Sequence, residues 1–247
     1  MSERHRFRVV TYNIHKGRGL DTRVRPERIV EVLKEVKADI IALQEVLSMP
    51  NGSPEMDQAR YFAEALGYSL TVGETRKIRG GIYGNVLLTR MPVVRSENYD
   101  ISVKYREQRG CLRVDLQLEE HLLLHVFNVH LGTLFYERRT QARKLVHHAI
   151  LHNPELHGIR VIMGDFNEWR PGYITRLFET HFQKAGTQAE TPKTYPAVRP
   201  TLMLDHIYFD SALRPEQILV HQTAAALRAS DHLPLVVDLE LHAPAVL

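Results

Sequence analysis

The stretch Val161-Ile162-Met163-Gly164-Asp165-Phe166-Asn167 joins a buried-strand pattern to a polar turn. Three apolar residues followed by glycine predict the end of a strand that opens into a tight turn. If the extended geometry continues past Gly164, Asp165 and Asn167 point the same way. A carboxylate and an amide at the mouth of a sheet can orient a water and hold an oxyanion. Asp and Asn after glycine are also ordinary turn residues, so the rest of the chain must decide between these interpretations.

The composition is that of a globular protein with a substantial core. The chain has 247 residues, of which 44% are hydrophobic and 25% charged, and we expect one domain over residues 1–247 because no linker rich in Pro, Gly or Ser divides it. No run approaches the roughly 18 apolar residues of a transmembrane helix, and the charged start lacks the features of a secretory signal. The single cysteine, Cys111, excludes an intramolecular disulfide and fits a reducing compartment. We therefore expect a cytoplasmic monomer, with no protein partner indicated.

The hydrophobic pattern predicts an α/β chain with several consecutive strands. Strands are predicted at 7–14, 39–43, 68–72, 85–89, 112–118, 122–129, 161–167, 204–209, 218–221 and 233–241. Helices are predicted at 26–36, 57–66, 137–152 and 171–180, and loops at 49–55, 76–84 and 186–203. So many consecutive strands exclude a purely parallel sheet and fit two sheets packed face to face with helices outside. An apolar strand that ends in a carboxylate occurs twice, at Glu45 and at Asp165.

Polar side chains follow most of these strands, and in packed α/β folds the strand ends form the ligand crevice. The residues are Asn13, Glu45, Asn128, His130, Asp165, Asn167, Asp205, His206, Asp231 and His232. Oxygen ligands such as Glu45 and Asn13 suit Mg²⁺ or Mn²⁺ better than zinc. A hard cation with His and Asp partners supports phosphoryl chemistry. Ser230 close to His232 raises a Ser-His-Asp hydrolase as the competitor, although Ser230 does not lie in a Gly-x-Ser-x-Gly elbow.

Six short blocks in this chain resemble the endonuclease/exonuclease/phosphatase superfamily, which has the DNase I-like fold. They are Thr11-Tyr12-Asn13, Leu43-Gln44-Glu45-Val46, Asn128-Val129-His130-Leu131, Gly164-Asp165-Phe166-Asn167, Leu204-Asp205-His206-Ile207 and Ser230-Asp231-His232-Leu233-Pro234. They follow the family's order over residues 11–234, and the loop after Tyr12 is most similar to small bacterial members of unassigned substrate. The resemblance implies a four-layered α/β sandwich, with two packed mixed β-sheets flanked by helices, and Mg²⁺- or Mn²⁺-dependent phosphoester hydrolysis.

The resemblance also implies a metal site and a site for the attacking water. Glu45 would be the principal metal ligand with Asn13 beside it, and Asp231 would support that site. Asp165 would activate or position the water, and Asn167 would contact the scissile phosphate.

Three further catalytic roles are implied by position. His232 would stabilise the pentavalent transition state, and Asp205 would hold His232 in its tautomer and orientation. His130 would hydrogen-bond a phosphate oxygen. Whether Asp165 or His232 is the general base stays open at this stage.

Five residues are candidates for binding the substrate. Lys16, Arg18 and Arg79 lie in glycine-containing basic loops expected near the site, where they can bind phosphate. Asn85 begins the strand after the second such loop, and Trp169, two residues after Asn167, can form a wall of the site. Solvated loop charge and a core tryptophan are the ordinary alternatives.

The substrate class is predicted from family resemblance alone. Asn-x-His-Leu at 128–131 and Leu-Asp-His-Ile at 204–207 look more like the sphingomyelinase, deadenylase and phosphatase members than the abasic-site nucleases. We therefore expect a phosphodiesterase acting on a small-molecule or lipid-type phosphoester. An Mg²⁺-dependent endonuclease or exonuclease acting on DNA or RNA is the alternative, and a catalytically inactive binding module is a third.

Overall fold

The computed structural model describes residues 5–78, 80–186 and 192–242. The strands are β1 (Arg6–Asn13), β2 (Ile40–Ser48), β3 (Ser69–Ile78), β4 (Gly81–Thr89), β5 (Val93–Asp100), β6 (Gly110–Glu119), β7 (Leu122–His130), β8 (Ile159–Asp165), β9 (Gln183–Lys184), β10 (Asp205–Phe209), β11 (Leu213–Val220) and β12 (Leu235–Leu241). The helices are α1 (Pro26–Val36), α2 (Gln58–Leu66), α3 (Phe135–Val146), α4 (Tyr173–Glu179) and α5 (Ala226–Ala229), with short 3₁₀ turns at His15–Gly17 and Pro54–Met56.

Each of the two sheets is built around one parallel strand pair joined by a helical crossover. β1 and β2 are parallel with α1 between them in the chain, and β7 and β8 are parallel with α3 between them. Antiparallel strands extend both pairs, which gives the strand orders β11-β12-β1-β2-β4-β3 and β5-β6-β7-β8-β10-β9. Glu45 and Asp165, the two carboxylates that follow apolar runs, therefore lie on the second strands of equivalent crossovers.

Three apolar cores separate four layers. Leu33 of α1 is buried on the outer face of the first sheet, and Val9 and Val126 are buried between the two sheets. Leu145 of α3 and Phe178 of α4 are buried on the outer face of the second sheet. Full burial of one such side chain contributes about 1.5–3 kcal/mol. The predicted four-layered α/β sandwich is thus confirmed.

Local sequence explains the first crossover helix. Pro26 occupies the first turn of α1, where its missing N–H costs nothing. The apolar residues at 29, 32, 33 and 36 are all buried, as their helical spacing predicts. Lys37 ends the helix in a left-handed conformation. The helix returns the chain to the start of β2, and β2 then delivers Glu45 beside the end of β1.

The structure corrects several predicted boundaries. The helix predicted at 137–152 runs from Phe135 to Val146, and Ile150 reaches the core from the turn that follows. The loop predicted at 76–84 is largely a hairpin of β3 and β4. β5 was not predicted, because its residues are mostly exposed and do not alternate in hydrophobicity. β2 continues past Glu45 through a bulge, and the loop predicted at 186–203 lies partly outside the described residues.

Candidate active site

Strand pairing brings three of the predicted catalytic side chains into one row. On the second sheet, His130 of β7 is paired with Asp165 of β8, and Asp165 is paired with Asp205 of β10. Asn13, at the end of β1 on the first sheet, donates from Nδ2 to Asp165 Oδ2 at 3.0 Å and to Glu45 Oε1 at 3.3 Å. The candidate site therefore lies where strand ends of the two sheets meet.

His232 is held in place by Asp205. Its Nδ1 lies 2.9 Å from Asp205 Oδ2, which also accepts a hydrogen bond from the Thr194 hydroxyl at 2.5 Å. Its Nε2 faces Asp165, with 3.9 Å to Oδ2. Burial opposes a charged ring, but Asp205, Asp165 and Asp231 together outweigh it and raise the pKa of His232 to about 10. The ring is therefore an imidazolium that can donate from Nε2 to a negatively charged oxygen.

His130 has a neighbour that the sequence motifs do not reveal. Nη1 of Arg109, a residue only 7% exposed, lies 2.9 Å from His130 Nδ1. Burial and the Arg109 guanidinium lower the pKa of His130 to about 4, so this ring is neutral near neutral pH. Arg109 Nη1 also lies 3.3 Å from His130 Nε2, but the shorter contact assigns the accepting lone pair to Nδ1 and the ring hydrogen to Nε2, which lies 3.6 Å from Asp165 Oδ2.

Asp165 is the carboxylate at the centre of the row and is 1% exposed. Its Oδ1 accepts the backbone N–H of Asn167 at 2.8 Å. Burial raises the pKa of the Asp165 carboxyl, against the charge of the His232 imidazolium. A carboxylate whose pKa moves toward neutrality is better matched to proton abstraction from water than an ordinary one.

Asn167 adopts a left-handed conformation with φ 51°. Its side-chain Nδ2 donates to the carbonyl of Leu131 at 2.9 Å. This bond fixes the amide plane beside Asp165. The geometry is compatible with the predicted phosphate contact, which stays a prediction.

Glu45 is re-aimed by the bulge in β2 and has φ 57°. Lys16 Nζ lies 2.8 Å from Oε2, and Asn13 binds Oε1. Burial works against the charged carboxylate, but His130, Lys16 and Asn13 outweigh it and hold the pKa of Glu45 at about 2. Glu45 is therefore ionised at any physiological pH.

Asp231 is placed less centrally. Its Oδ1 lies 3.6 Å from His15 Nδ1 and 3.4 Å from the Ser230 hydroxyl oxygen. Its charge acts on His232, as the raised pKa of that ring shows. The Ser230 hydroxyl is buried and donates to the carbonyl of Asn13 at 2.8 Å, so it is not presented to the imidazole as a nucleophile.

Two donor sets are candidates for holding a cation. Ligand atoms of Asp165, Asp205 and His232 all lie within 4.8 Å of one another in a buried group. In that group an imidazolium would repel a cation, which suits the set to proton transfer. Glu45 and Asn13 instead offer oxygen donors, the ligands that Mg²⁺ and Mn²⁺ prefer. Asn13 Oδ1 accepts from His15 N–H at 3.1 Å and keeps a second lone pair, so this second set fits a hard cation.

Of the five predicted substrate contacts, the four that the structure describes are not brought together. Lys16 lies at Glu45, whereas Arg18 is exposed and its Nε donates to the carbonyl of Thr22. Trp169 is 65% exposed, and Arg79 lies outside the described residues. Asn85 is 1% exposed, and its Nδ2 donates to the carbonyls of Gly110 and Asn128 at 3.1 Å each. These bonds link the two sheets through the side-chain amide of Asn85, and its predicted contact with substrate stays a prediction.

Sheet topology and site together define a class of protein, the phosphoester hydrolases built as a four-layered α/β sandwich. The chain belongs to the endonuclease/exonuclease/phosphatase family, whose model matches residues 10–232. Members of this family hydrolyse phosphoester bonds and commonly depend on a divalent metal.

Comparison with individual proteins supports the family over the whole chain. Uncharacterized protein YbhP of Escherichia coli K12 is 30% identical, with 95% of this chain and 96% of that protein covered. The mannosyl-6-phosphatase of Bacteroides thetaiotaomicron matches with a TM-score of 0.74 and 16% identity, covering 94% of this chain and 99% of that one. The human Nocturnin catalytic domain with bound sulfate matches at 0.72 and 22%, covering 97% and 96%. The two structural matches show the shared fold.

Proposed function

We propose that this protein is a divalent-metal-dependent phosphodiesterase that acts on a small-molecule or lipid-type phosphoester. The observation that carries the proposal is the buried row of His130, Asp165 and Asp205 with His232 facing it. These side chains are at most 5% exposed. A recessed site of this kind suits a small substrate whose phosphoryl group lies at one end of the molecule and enters first. The mannosyl-6-phosphatase relative is named for a sugar phosphate, which also favours a small ester.

Each buried residue has a distinct task in the proposed reaction. Asp165 removes a proton from the attacking water while the oxygen of that water forms its bond to phosphorus. His232 donates from Nε2 to a phosphoryl oxygen, where negative charge accumulates in the transition state. Asp205 holds that imidazolium through Nδ1. His130 can donate from Nε2 to a second phosphoryl oxygen, because Arg109 occupies its Nδ1.

The cation site completes the charge balance. Glu45 and Asn13 would hold Mg²⁺ or Mn²⁺, and the cation when bound neutralises charge on the phosphoryl group. Lys16 adds a positive charge beside Glu45. The P–O bond to the leaving group breaks, and the departing oxygen takes up a proton.

Hydrolysis of bis(4-nitrophenyl) phosphate tests the reaction class. We expect turnover with Mg²⁺ or Mn²⁺, none with EDTA, and a large loss in Glu45→Ala and His232→Ala. Equal rates in the variants and the parent protein would refute the catalytic assignment. A panel of sugar phosphodiester, phospholipid, RNA, plasmid and abasic duplex then tests the substrate class. Incision of the abasic duplex at low enzyme concentration would replace the proposed substrate class with DNA.

A further inference from the structure

A cavity of about 570 Å³ lies among α4, β9 and the chain segments that contain Trp169 and Lys193. Its wall includes the exposed indole of Trp169 and four basic side chains, Arg170, Arg176, Lys184 and Lys193. Glu179 is the acidic residue among the described lining residues. The cavity therefore carries an excess of positive charge and one aromatic face.

Within the described ranges these cations have few partners. Glu179 lies 3.8 Å from Lys184 Nζ, a loose ion pair. No described carboxylate lies within 4.0 Å of the charged groups of Arg170, Arg176 or Lys193. Like charges gathered in one concave space repel each other and focus a positive potential that attracts anions.

Lys184 is the strongest indication of a ligand. Its side chain is only 11% exposed, although its partner Glu179 is 45% exposed. Burial lowers the pKa of Lys184, and the negative charges of Glu179 and Glu168 compensate that penalty only in part. An ammonium that is mostly removed from water needs close oxygen acceptors, and a bound anion would supply them.

The cavity is close to the catalytic residues along the chain. Trp169 follows Asn167 by two residues, so their Cα atoms lie within about 7.6 Å of each other. Lys193 precedes Thr194, whose hydroxyl binds Asp205. Lys184 lies toward the outer face of the second sheet, where its charge helps lower the pKa of His206, a ring that packs against Phe166 and Tyr208. The sides of the cavity formed by Trp169 and Lys193 are therefore the ones nearest the candidate site.

We propose that this cavity binds a second phosphate of the substrate, and that the enzyme prefers phosphoesters carrying two phosphate groups. The proposal rests on the proposed function for the first phosphate, which reacts at Asp165 and His232. The second phosphate is not cleaved. It lies among Lys184, Arg176 and their basic neighbours and orients the ester for reaction.

Binding can be measured without turnover because Trp169 is the one tryptophan of the chain. Its fluorescence reports directly on the wall of the cavity. We would titrate thymidine 3′,5′-bisphosphate and thymidine 5′-monophosphate at about 0.15 M salt, where nonspecific charge effects are screened, with Mg²⁺ and again with EDTA. Fructose 1,6-bisphosphate and fructose 6-phosphate form a second pair without an aromatic base.

We expect each bisphosphate to bind at least about tenfold more tightly than its monophosphate, as charge-assisted bonds to a second phosphate predict. An equal gain in the two pairs assigns the cavity to phosphate alone. Tighter binding of both thymidine ligands than of both fructose ligands would show that the base also stacks on Trp169. No gain in either pair would overturn the proposal.

Substitutions distinguish phosphate binding in the cavity from a general effect of the protein's positive charge. Lys184→Met and Arg176→Met should each reduce the ratio of bisphosphate to monophosphate affinity, whereas Lys34→Met on the exposed face of α1 should not. Arg176 is exposed, so its variant tests the idea even if Lys184→Met folds poorly. An unchanged ratio in Arg176→Met and Lys184→Met, or an equal reduction in Lys34→Met, would also overturn it.

The outcome is distinguishable from failure of the proposed function. If bis(4-nitrophenyl) phosphate is not hydrolysed, the reaction class is wrong, but the fluorescence titration still shows whether the cavity binds a second phosphate. If hydrolysis occurs and the two ligands of each pair bind equally, the reaction class stands and the cavity proposal fails.

Discussion

Two buried Asp–His pairs in this protein differ in what the second imidazole nitrogen contacts. In the first pair, Nδ1 of His125 lies 2.7 Å from Asp115 Oδ1, and its Nε2 lies 3.2 Å from the carbonyl of His157. In the second pair, Nδ1 of His232 lies 2.9 Å from Asp205 Oδ2, and its Nε2 faces Asp165 across 3.9 Å. The first imidazole has protein partners at both nitrogens, whereas the second presents one nitrogen to the site.

The carboxylates of the two pairs are also compensated differently. Asp115 lies 3.1 Å from Nε of Arg113, so a permanent cation shares its charge. Within the described residues, no Arg or Lys charge lies within 4.0 Å of Asp205. Under the proposed mechanism, the reactive pair is the one whose far imidazole nitrogen faces the site and whose carboxylate has no described Arg or Lys charge beside it.

Replacing the two histidines should separate these roles most strongly. His232→Ala should lower kcat on bis(4-nitrophenyl) phosphate by roughly 10²–10³-fold, because the donor to the phosphoryl oxygen is lost. His125→Ala should leave kcat within a few-fold but lower the free energy of unfolding by about 1–3 kcal/mol, because Asp115 loses a buried partner. Steady-state kinetics and urea unfolding of both variants check this. A comparable loss of kcat in folded His125→Ala would end the distinction between the pairs.

Asparagine replacements of the two aspartates give the next largest effect. Asp205→Asn should reduce kcat by roughly 10–100-fold, because the amide can hold the wrong tautomer of His232. Mn²⁺ affinity measured by calorimetry should change little, since Asp205 is assigned to the imidazole and not to the cation. Asp115→Asn is the matched control and should retain kcat. Collapse of Mn²⁺ binding in Asp205→Asn would instead make Asp205 a metal ligand.

The sequence predicted those parts of the molecule that depend on local pattern. The 3.6-residue spacing of apolar residues gave α1, and apolar runs gave the central strands. Asn13, Glu45 and Asp165 follow such runs, and strand ends necessarily collect at the edges of sheets. Their proximity in the structure could therefore be predicted from the hydrophobic pattern and from the family resemblance.

The sequence alone could not predict the contacts that depend on pairing between strands distant in the chain. Arg109 acts on His130 because β6 pairs with β7, and no motif marks it. Apolar residues alternate with Arg113 and Asp115 over 112–118, a pattern typical of a strand with one solvated face, yet both charged side chains are at most 4% exposed. Asp115 is covered because the segment that carries His157 lies over His125. Alternation of apolar and polar residues along a strand therefore indicates a solvent-exposed face only when no other segment of the chain packs over that face.

His206 extends the comparison to a buried imidazole next in sequence to Asp205. Burial, helped by the charge of Lys184, lowers its pKa well below the ordinary value. Below about pH 6.5 the His206 imidazole binds a proton in the unfolded chain but stays neutral in the folded chain. The free energy of unfolding should therefore decrease as the pH falls below that value, by at most about 1.4 kcal/mol per pH unit. His206→Leu should flatten this dependence in urea unfolding between pH 7 and pH 5.

Exposed His121 supplies the control for that measurement. His121→Gln should leave the acid dependence unchanged. If His206→Leu loses stability with falling pH as steeply as the parent protein, the acid sensitivity belongs to other groups.

Removing the Thr194 hydroxyl tests whether its hydrogen bond is needed to orient the Asp205 carboxylate. We expect this substitution to have the smallest effect. Thr194→Val keeps the shape of the side chain but removes the bond to Asp205 Oδ2. The carboxylate keeps His232, so we expect a loss of about 1 kcal/mol of transition-state stabilisation, or roughly fivefold in kcat. Thr175→Val is the matched control, because its buried hydroxyl binds Glu168 at 2.6 Å and has no recorded bond to Asp205 or His232. A loss as large as that of Asp205→Asn would mean that Asp205 orients His232 only while Thr194 holds it, whereas equal losses in both threonine variants would point to general destabilisation.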